Sequence, residues 1–192
     1  MEKIIHYVWF GKGKKSELIN HCIESWKKYL PDYQIKEWNE DNFDINFNAF
    51  TRDAYDAKKF AFVSDVTRLY ALYTEGGIYL DTDVEVFKSL DEFLKEPAFT
   101  GFECNFYPVC ATMGAEKGNP LIKELLNYYT DKKFDITNLT TNTQIISNIF
   151  ANYGIDRNKN EIQKIKDITI YPKEYFNDKN GYTVHHMNGS WL

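Results

Sequence analysis

The feature that most constrains this chain is the pair Gly76-Gly77, which divides a long helical pattern from a short apolar run ending in two aspartates. Upstream, Ala57, Ala61, Ser64, Arg68 and Leu72 interleave with Phe60, Val63 and Leu69, which predicts one helix from Asp53 to about Tyr73, buried on more than one side. The glycines stop it, because they enter the left-handed conformation at which helices commonly end. Ile78-Tyr79-Leu80 then reads as a short buried strand that delivers Asp81-Thr82-Asp83 to its end.

The rest of the chain alternates in the same way. Ile4 to Phe10 reads as a buried strand, closed by Gly11-Lys12-Gly13. Ser16 is an N-cap for a helix reaching Tyr29 with Leu18, Ile19, Cys22, Ile23 and Trp26 on its apolar face, and Tyr33 to Trp38 reads as a second strand. This β-α-β opening begins an α/β sheet. Residues 39 to 52 are polar and Asn-rich, a loop with one helical turn. Strands follow at Val84 to Phe87, Phe99 to Cys104 and Val109 to Met113, with a helical turn at Leu90 to Leu94. Pro120 opens a helix at its first turn, and another runs from Asn142 to Tyr153. Residues 156 to 167 read as solvated, and Ile168 to Tyr171 and Tyr182 to His186 as closing strands. The 192 residues contain no repeat and no linker, so the expectation is one α/β domain over 1–192.

Lys plus Arg is 23 against 28 Asp plus Glu, a net charge of -5, which argues against non-specific nucleic-acid binding. The basic cluster Lys12, Lys14 and Lys15 leaves peripheral membrane association open. The three cysteines, Cys22, Cys104 and Cys110, lack the spacing of metal or redox sites, and Cys22 on a helix's apolar face reads as a buried thiol. No apolar run is long enough for a signal peptide core or a membrane span, so the expectation is a cytoplasmic protein, at most at the inner face of a membrane.

At strand spacing, Asp81 and Asp83 point to one face, where two carboxylates repel unless a cation sits between them. A hard divalent ion, Mn²⁺ or Mg²⁺, is the natural partner, since it takes oxygen ligands and leaves positions for phosphate. Asp65 and Arg68 share a face of the preceding helix. They form either an ordinary ion pair or an aspartate holding a guanidinium toward a sugar hydroxyl or phosphate. Of the adjacent His185 and His186, at most one can reach a site, because neighbours on a strand point opposite ways. Trp9, at the end of the first strand, is either core or a platform for a nucleotide base. Capping accounts for Thr141 and Asn142 before their helix, a polar contact with an acceptor sugar being the lesser option.

Ile4-Ile5-His6-Tyr7-Val8-Trp9-Phe10-Gly11, Ser64-Asp65-Val66-Thr67-Arg68-Leu69, Gly76 to Val84, and His185-His186 with Ser190-Trp191 resemble, in order and spacing, glycosyltransferase family 32. That family carries the sugar-binding region containing a DXD motif and is related to the clostridial glucosylating toxins. The resemblance implies a GT-A fold and a metal-dependent, configuration-retaining transfer from a UDP- or GDP-sugar to a glycan or lipid-linked acceptor, in surface polysaccharide synthesis. It places Trp9 near the base, Asp65 and Arg68 on the donor sugar, Asp81 on ribose or sugar, and Asp83 with Asp81 on the metal. His186, followed by x-x-Gly, would complete the metal shell, and Ser190 and Trp191 would close over the diphosphate. Arg68, Trp191 and the cation would stabilise the leaving diphosphate, while Glu103 is assigned to the acceptor side.

Two departures from the family pattern stand out. The sequence ends one residue after Trp191, so the expectation is that any C-terminal acceptor or membrane-docking element is absent, and the Gly-Pro that many members carry near Asn142-Thr143 is missing. Two rival readings remain: a haloacid-dehalogenase-like phosphatase using Asp81-Thr82-Asp83-Val84, and a catalytically silent domain that binds nucleotide-sugar or glycan.

Overall fold

The computed structural model describes residues 1–103, 107–108 and 111–189. Nine strands and six α-helices alternate along the described chain: β1 (Ile4–Val8), α1 (Glu17–Tyr29), β2 (Gln34–Trp38), α2 (Ala49–Asp56), α3 (Phe60–Glu75), β3 (Gly77–Leu80), β4 (Val84–Val86), β5 (Ala98–Gly101), β6 (Thr112–Ala115), α4 (Pro120–Asn127), α5 (Asn142–Ala151), β7 (Gln163–Ile165), β8 (Ile168–Tyr171), α6 (Lys173–Phe176) and β9 (Thr183–His185). Seven strands form one sheet in the order β2-β1-β3-β6-β5-β8-β7, and β4 with β9 forms a separate two-stranded ribbon. β1 runs parallel to β2 and β3, whereas β6 is antiparallel to both β3 and β5. The sheet is mixed, and the parallel left half carries the opening predicted from sequence.

Strand alternation sorts the core into two layers. Ile5 and Tyr7 of β1, Ile78 and Leu80 of β3, and Phe99 of β5 pack on one face with Trp26 of α1 and Phe176 of α6. Val8, Tyr79, Ala98 and Met113 face the other layer, with Val63, Val66 and Leu69 of α3 and the apolar residues of α4 and α5. The double glycine does two jobs at the junction. Gly76 at φ 72° ends α3, its N–H bonding to the Leu72 carbonyl. Gly77 at φ 100° lets β3 close on β1, since a Cβ there would stand 2.7 Å from the Ile4 carbonyl oxygen.

Four expectations need correction. The helix read from Asp53 to Tyr73 is two helices, broken where Lys58 takes φ 56° and Lys58 and Lys59 donate their N–H groups back to Tyr55 and Ala54. The break uses no Gly or Pro, so nothing in the pattern announces it. The loop read at 39 to 52 already contains the start of α2, because Asn48 and Thr51 form a reciprocal capping box. The stretch 156 to 167 is not all solvated: Gln163–Ile165 pairs with β8 at the sheet edge. Finally, Asp81 and Asp83 do not stand at strand spacing. β3 stops at Leu80, and a tight turn closed by Val84 N–H to the Asp81 carbonyl carries both.

Candidate active site

The turn opens into a cleft of about 920 Å³ at the end of β1 and β3, lined among others by Trp9, Asp65, Arg68, Asp81, Asp83, Glu103 and His185. Asp81, Asp83 and His185 each offer an atom within 4.8 Å of the others, the metal-holding geometry found among the described residues. Two carboxylate oxygens and an imidazole nitrogen are a donor set that fits a divalent metal ion.

Three elements place these groups. β4 and β9 pair antiparallel with Val84 opposite His185, which sets that histidine beside the turn. The segment after β9 is then stitched to Asp83: His186 N–H donates to its carbonyl at 3.0 Å and Asn188 N–H to its Oδ2 at 2.8 Å. His185 Nε2 lies 3.4 Å from Asp83 Oδ1, and its Nδ1 donates to Glu103 Oε1 at 2.6 Å. Burial opposes charge on both groups. The hydrogen bonds nonetheless hold the Asp83 carboxyl below the usual carboxylate range. Bonds to Asp83 and Glu103, with the charge of Asp81, raise His185 to about 10. A metal can bind at Nε2 only when that nitrogen carries no proton.

The other wall is an ionic relay across α3 and β3. The Arg68 guanidinium bonds Asp65 Oδ1 at 3.0 Å and Asp81 Oδ1 at 3.2 Å, and lies 4.7 Å from the centre of the Tyr79 ring. Tyr79 donates its hydroxyl to the same Asp81 oxygen at 2.6 Å. Asp65 is 8% exposed, and burial lifts its carboxyl to about 7, with Arg68 acting against the shift and Asp81 adding to it. The Asp65–Arg68 pair is thus not the exposed, nearly neutral pair of an ordinary helix surface. Its guanidinium is committed to holding Asp81. Trp9, half-buried, lines the cleft with its indole N–H on the Gly13 carbonyl at 2.8 Å and the Lys15 ammonium 5.3 Å from its ring.

Alternation of the two histidines holds, but they exchange the places the sequence gave them. His186 turns away from the aspartates and meets Glu85 Oε2 at 2.9 Å, while His21 takes the other oxygen of that carboxylate at 2.9 Å. His185 is the histidine beside Asp81 and Asp83. The spacing to Gly189 pointed one residue too far, because the β4–β9 register, which decides the matter, has no local signal. Glu103 lies in the cleft, but its carboxylate is spent on His185. Tyr79 went unnoticed as a site residue because it reads as an ordinary strand aromatic. Ser190 and Trp191, like Cys104 and Cys110, lie outside the described residues.

A family model described as the glycosyltransferase sugar-binding region containing a DXD motif matches residues 16–100. An uncharacterized glycosyltransferase of Acanthamoeba polyphaga mimivirus is 27% identical, covering 98% of this chain and 82% of that protein. Inositol phosphoceramide mannosyltransferase 3 of Schizosaccharomyces pombe is 29% identical over 65% of this chain, which spans only 36% of the yeast protein's length. Two solved structures share the fold: a glycosyltransferase involved in glycosylating the major capsid of PBCV-1, with TM-score 0.54, 13% identity and coverage of 96% and 94%, and the galactosyltransferase LgtC in complex with donor and acceptor sugar analogs, with TM-score 0.54, 12% identity and coverage of 96% and 87%.

Proposed function

We propose that this chain, which matches the glycosyltransferase DXD sugar-binding region over residues 16–100 and shares the GT-A fold, is a glycosyltransferase that moves a hexosyl group from a UDP- or GDP-sugar to a glycan acceptor with retention of configuration. The observation that carries the proposal is the convergence of Asp81, Asp83 and His185 in a cleft whose opposite wall is the Asp65–Arg68–Asp81 relay. Mn²⁺ or Mg²⁺ held by those three groups would neutralise the diphosphate and offset the charge that grows on it as the glycosidic bond breaks.

The chain's own residues do the rest. Asp83 is fixed by two backbone N–H groups and His185, so it needs no reorganisation when a donor arrives. Arg68 and Tyr79 hold Asp81 from the other side, which makes Arg68 a positioning group as well as a source of positive charge along the diphosphate. Asp65, largely shielded from water, accepts hydroxyls of the donor sugar, and Trp9 offers its ring to the base. Ser190 and Trp191 complete the reading as groups closing over the diphosphate.

The acceptor is a surface polysaccharide glycan or a lipid-linked one, the second being favoured by the yeast relative's name. A lipid-linked acceptor entails peripheral work at the inner face of a membrane, and no helix among the described residues is long and apolar enough to cross one. The phosphatase reading is not favoured, since the relatives and fold neighbours named above are described as glycosyltransferases or mannosyl- and galactosyltransferases.

Thermal unfolding of the EDTA-treated chain, with Mn²⁺ and a panel of UDP- and GDP-sugars, tests the proposal. A matching donor at a hundred times its Kd stabilises by about 2.7 kcal/mol, roughly 5 to 10 °C for a chain of this size. Asp83→Ala abolishes the Mn²⁺-dependent part. An undiminished shift in that variant, or no shift with any donor, defeats it.

A further inference from the structure

We infer that Glu103 is a positioning residue for the ion of the proposed site: it accepts the Nδ1 proton of His185 and so turns Nε2 toward the aspartates. The inference rests on the metal-dependent reading above and extends it beyond the three ligands. An imidazole carries its two nitrogens on different edges of one rigid ring, so the bond made by one fixes where the other points. Here Nδ1 stands 2.6 Å from Glu103 Oε1, while Nε2 stands 3.4 Å from Asp83 Oδ1. The ring is strung between the two acids.

The arrangement is sheltered and exclusive. The side chains of His185 and Glu103 are only 18% and 16% exposed, so water competes weakly for their hydrogen bond. Among the described residues Glu103 has no other cationic partner, and it is not one of the three groups whose atoms converge for a metal. Its position is fixed from another part of the fold. Phe102, fully buried just past β5, donates its N–H to the Tyr171 carbonyl, and Glu103 N–H bonds the Tyr107 carbonyl at 2.8 Å. The segment just after β5 thus supplies the orienting acid, β9 the imidazole, and the β3–β4 turn the aspartates.

A carboxylate behind a ligating histidine fixes its tautomer and raises its basicity, and removing such a partner typically costs 10- to 100-fold in metal affinity. This use differs from direct contact with the acceptor, the role sequence alone assigns to Glu103. The two roles make opposite demands: an acceptor contact leaves metal binding untouched, whereas an orienting acid sets it.

The test is Mn²⁺ binding to the full chain without nucleotide, read from the free-ion EPR signal, with the His185 Nδ1–H resonance followed by NMR. Glu103→Ala weakens Mn²⁺ roughly 10- to 100-fold and loses the resonance. Glu103→Gln, whose amide oxygen still accepts that proton, falls between Ala and wild type and keeps the resonance at a shifted position. Asp83→Ala and His185→Ala serve as references. If neither changes Mn²⁺ affinity, the ligand set itself is wrong. If both do while Glu103→Ala stays within about twofold of wild type, the inference on Glu103 fails alone. A raised acceptor KM with unchanged Mn²⁺ affinity also overturns it. Should Glu103→Ala not fold, wild-type affinity and an unshifted resonance in Glu103→Gln are the overturning result.

Discussion

Asp65 makes a quantitative prediction about stability. Its carboxyl moves from 3.8 to about 7 on folding, chiefly because burial disfavours the charged form. Between those values the folded chain holds a proton that the unfolded chain has released. The stability tied to this proton is fully present below pH about 4 and is lost as pH rises through 7. A shift of roughly three units corresponds to on the order of 4 kcal/mol. Other carboxylates, such as Asp83 and Glu85, are held below their usual range and pull total stability the opposite way. The informative quantity is therefore the difference between wild type and Asp65→Asn at each pH. Urea unfolding in EDTA, stepped from pH 4 to pH 8, should show the wild type losing about 4 kcal/mol relative to the variant. A difference that does not change with pH refutes the burial argument. A difference that grows in the wild type's favour means that the Arg68 ion pair, at 3.0 Å, outweighs desolvation.

Two further outcomes are expected. Gly114 faces Phe99 across the β5–β6 pairing, and a Cβ would stand 2.2 Å from a ring carbon that is fully buried and stacked on Phe176, so Gly114→Ala costs about 1–3 kcal/mol or more; an unchanged Tm would refute it. His185→Ala should abolish Mn²⁺ binding in equilibrium titration while His186→Ala, whose ring serves Glu85, leaves it near wild type; the reverse order would restore the ligand read from sequence.

The legible parts of the molecule were those written locally. The β-α-β opening, the stop at Gly76 and the first-turn proline of α4 each rest on neighbours in sequence, and each stands where expected. Asp65, Arg68, Asp81, Asp83 and Trp9, chosen for residue type and resemblance, all line one cleft. What stayed hidden depends on partners far along the chain. Lys58 takes a left-handed turn without the glycine that would mark it. The choice between His185 and His186 is a matter of one residue of register, which flips every side chain of a strand. Glu103 was visible as an acid near the site, but its task is set by a histidine 82 positions away.

The β4–β9 ribbon has a consequence for the order in which this molecule is completed. The aspartate turn can form as soon as β3 and β4 exist, yet His185 arrives on β9 and Asn188, which caps Asp83, just after it, 105 positions later than Asp83. Closing so long a loop is entropically costly before the sheet between its ends has formed. The two halves of the site therefore depend on a long-range closure that the intervening sheet must support. A chain with every strand but β9 in place would have Asp81 held by Arg68 and Tyr79, and neither His185 nor Asn188 yet on Asp83.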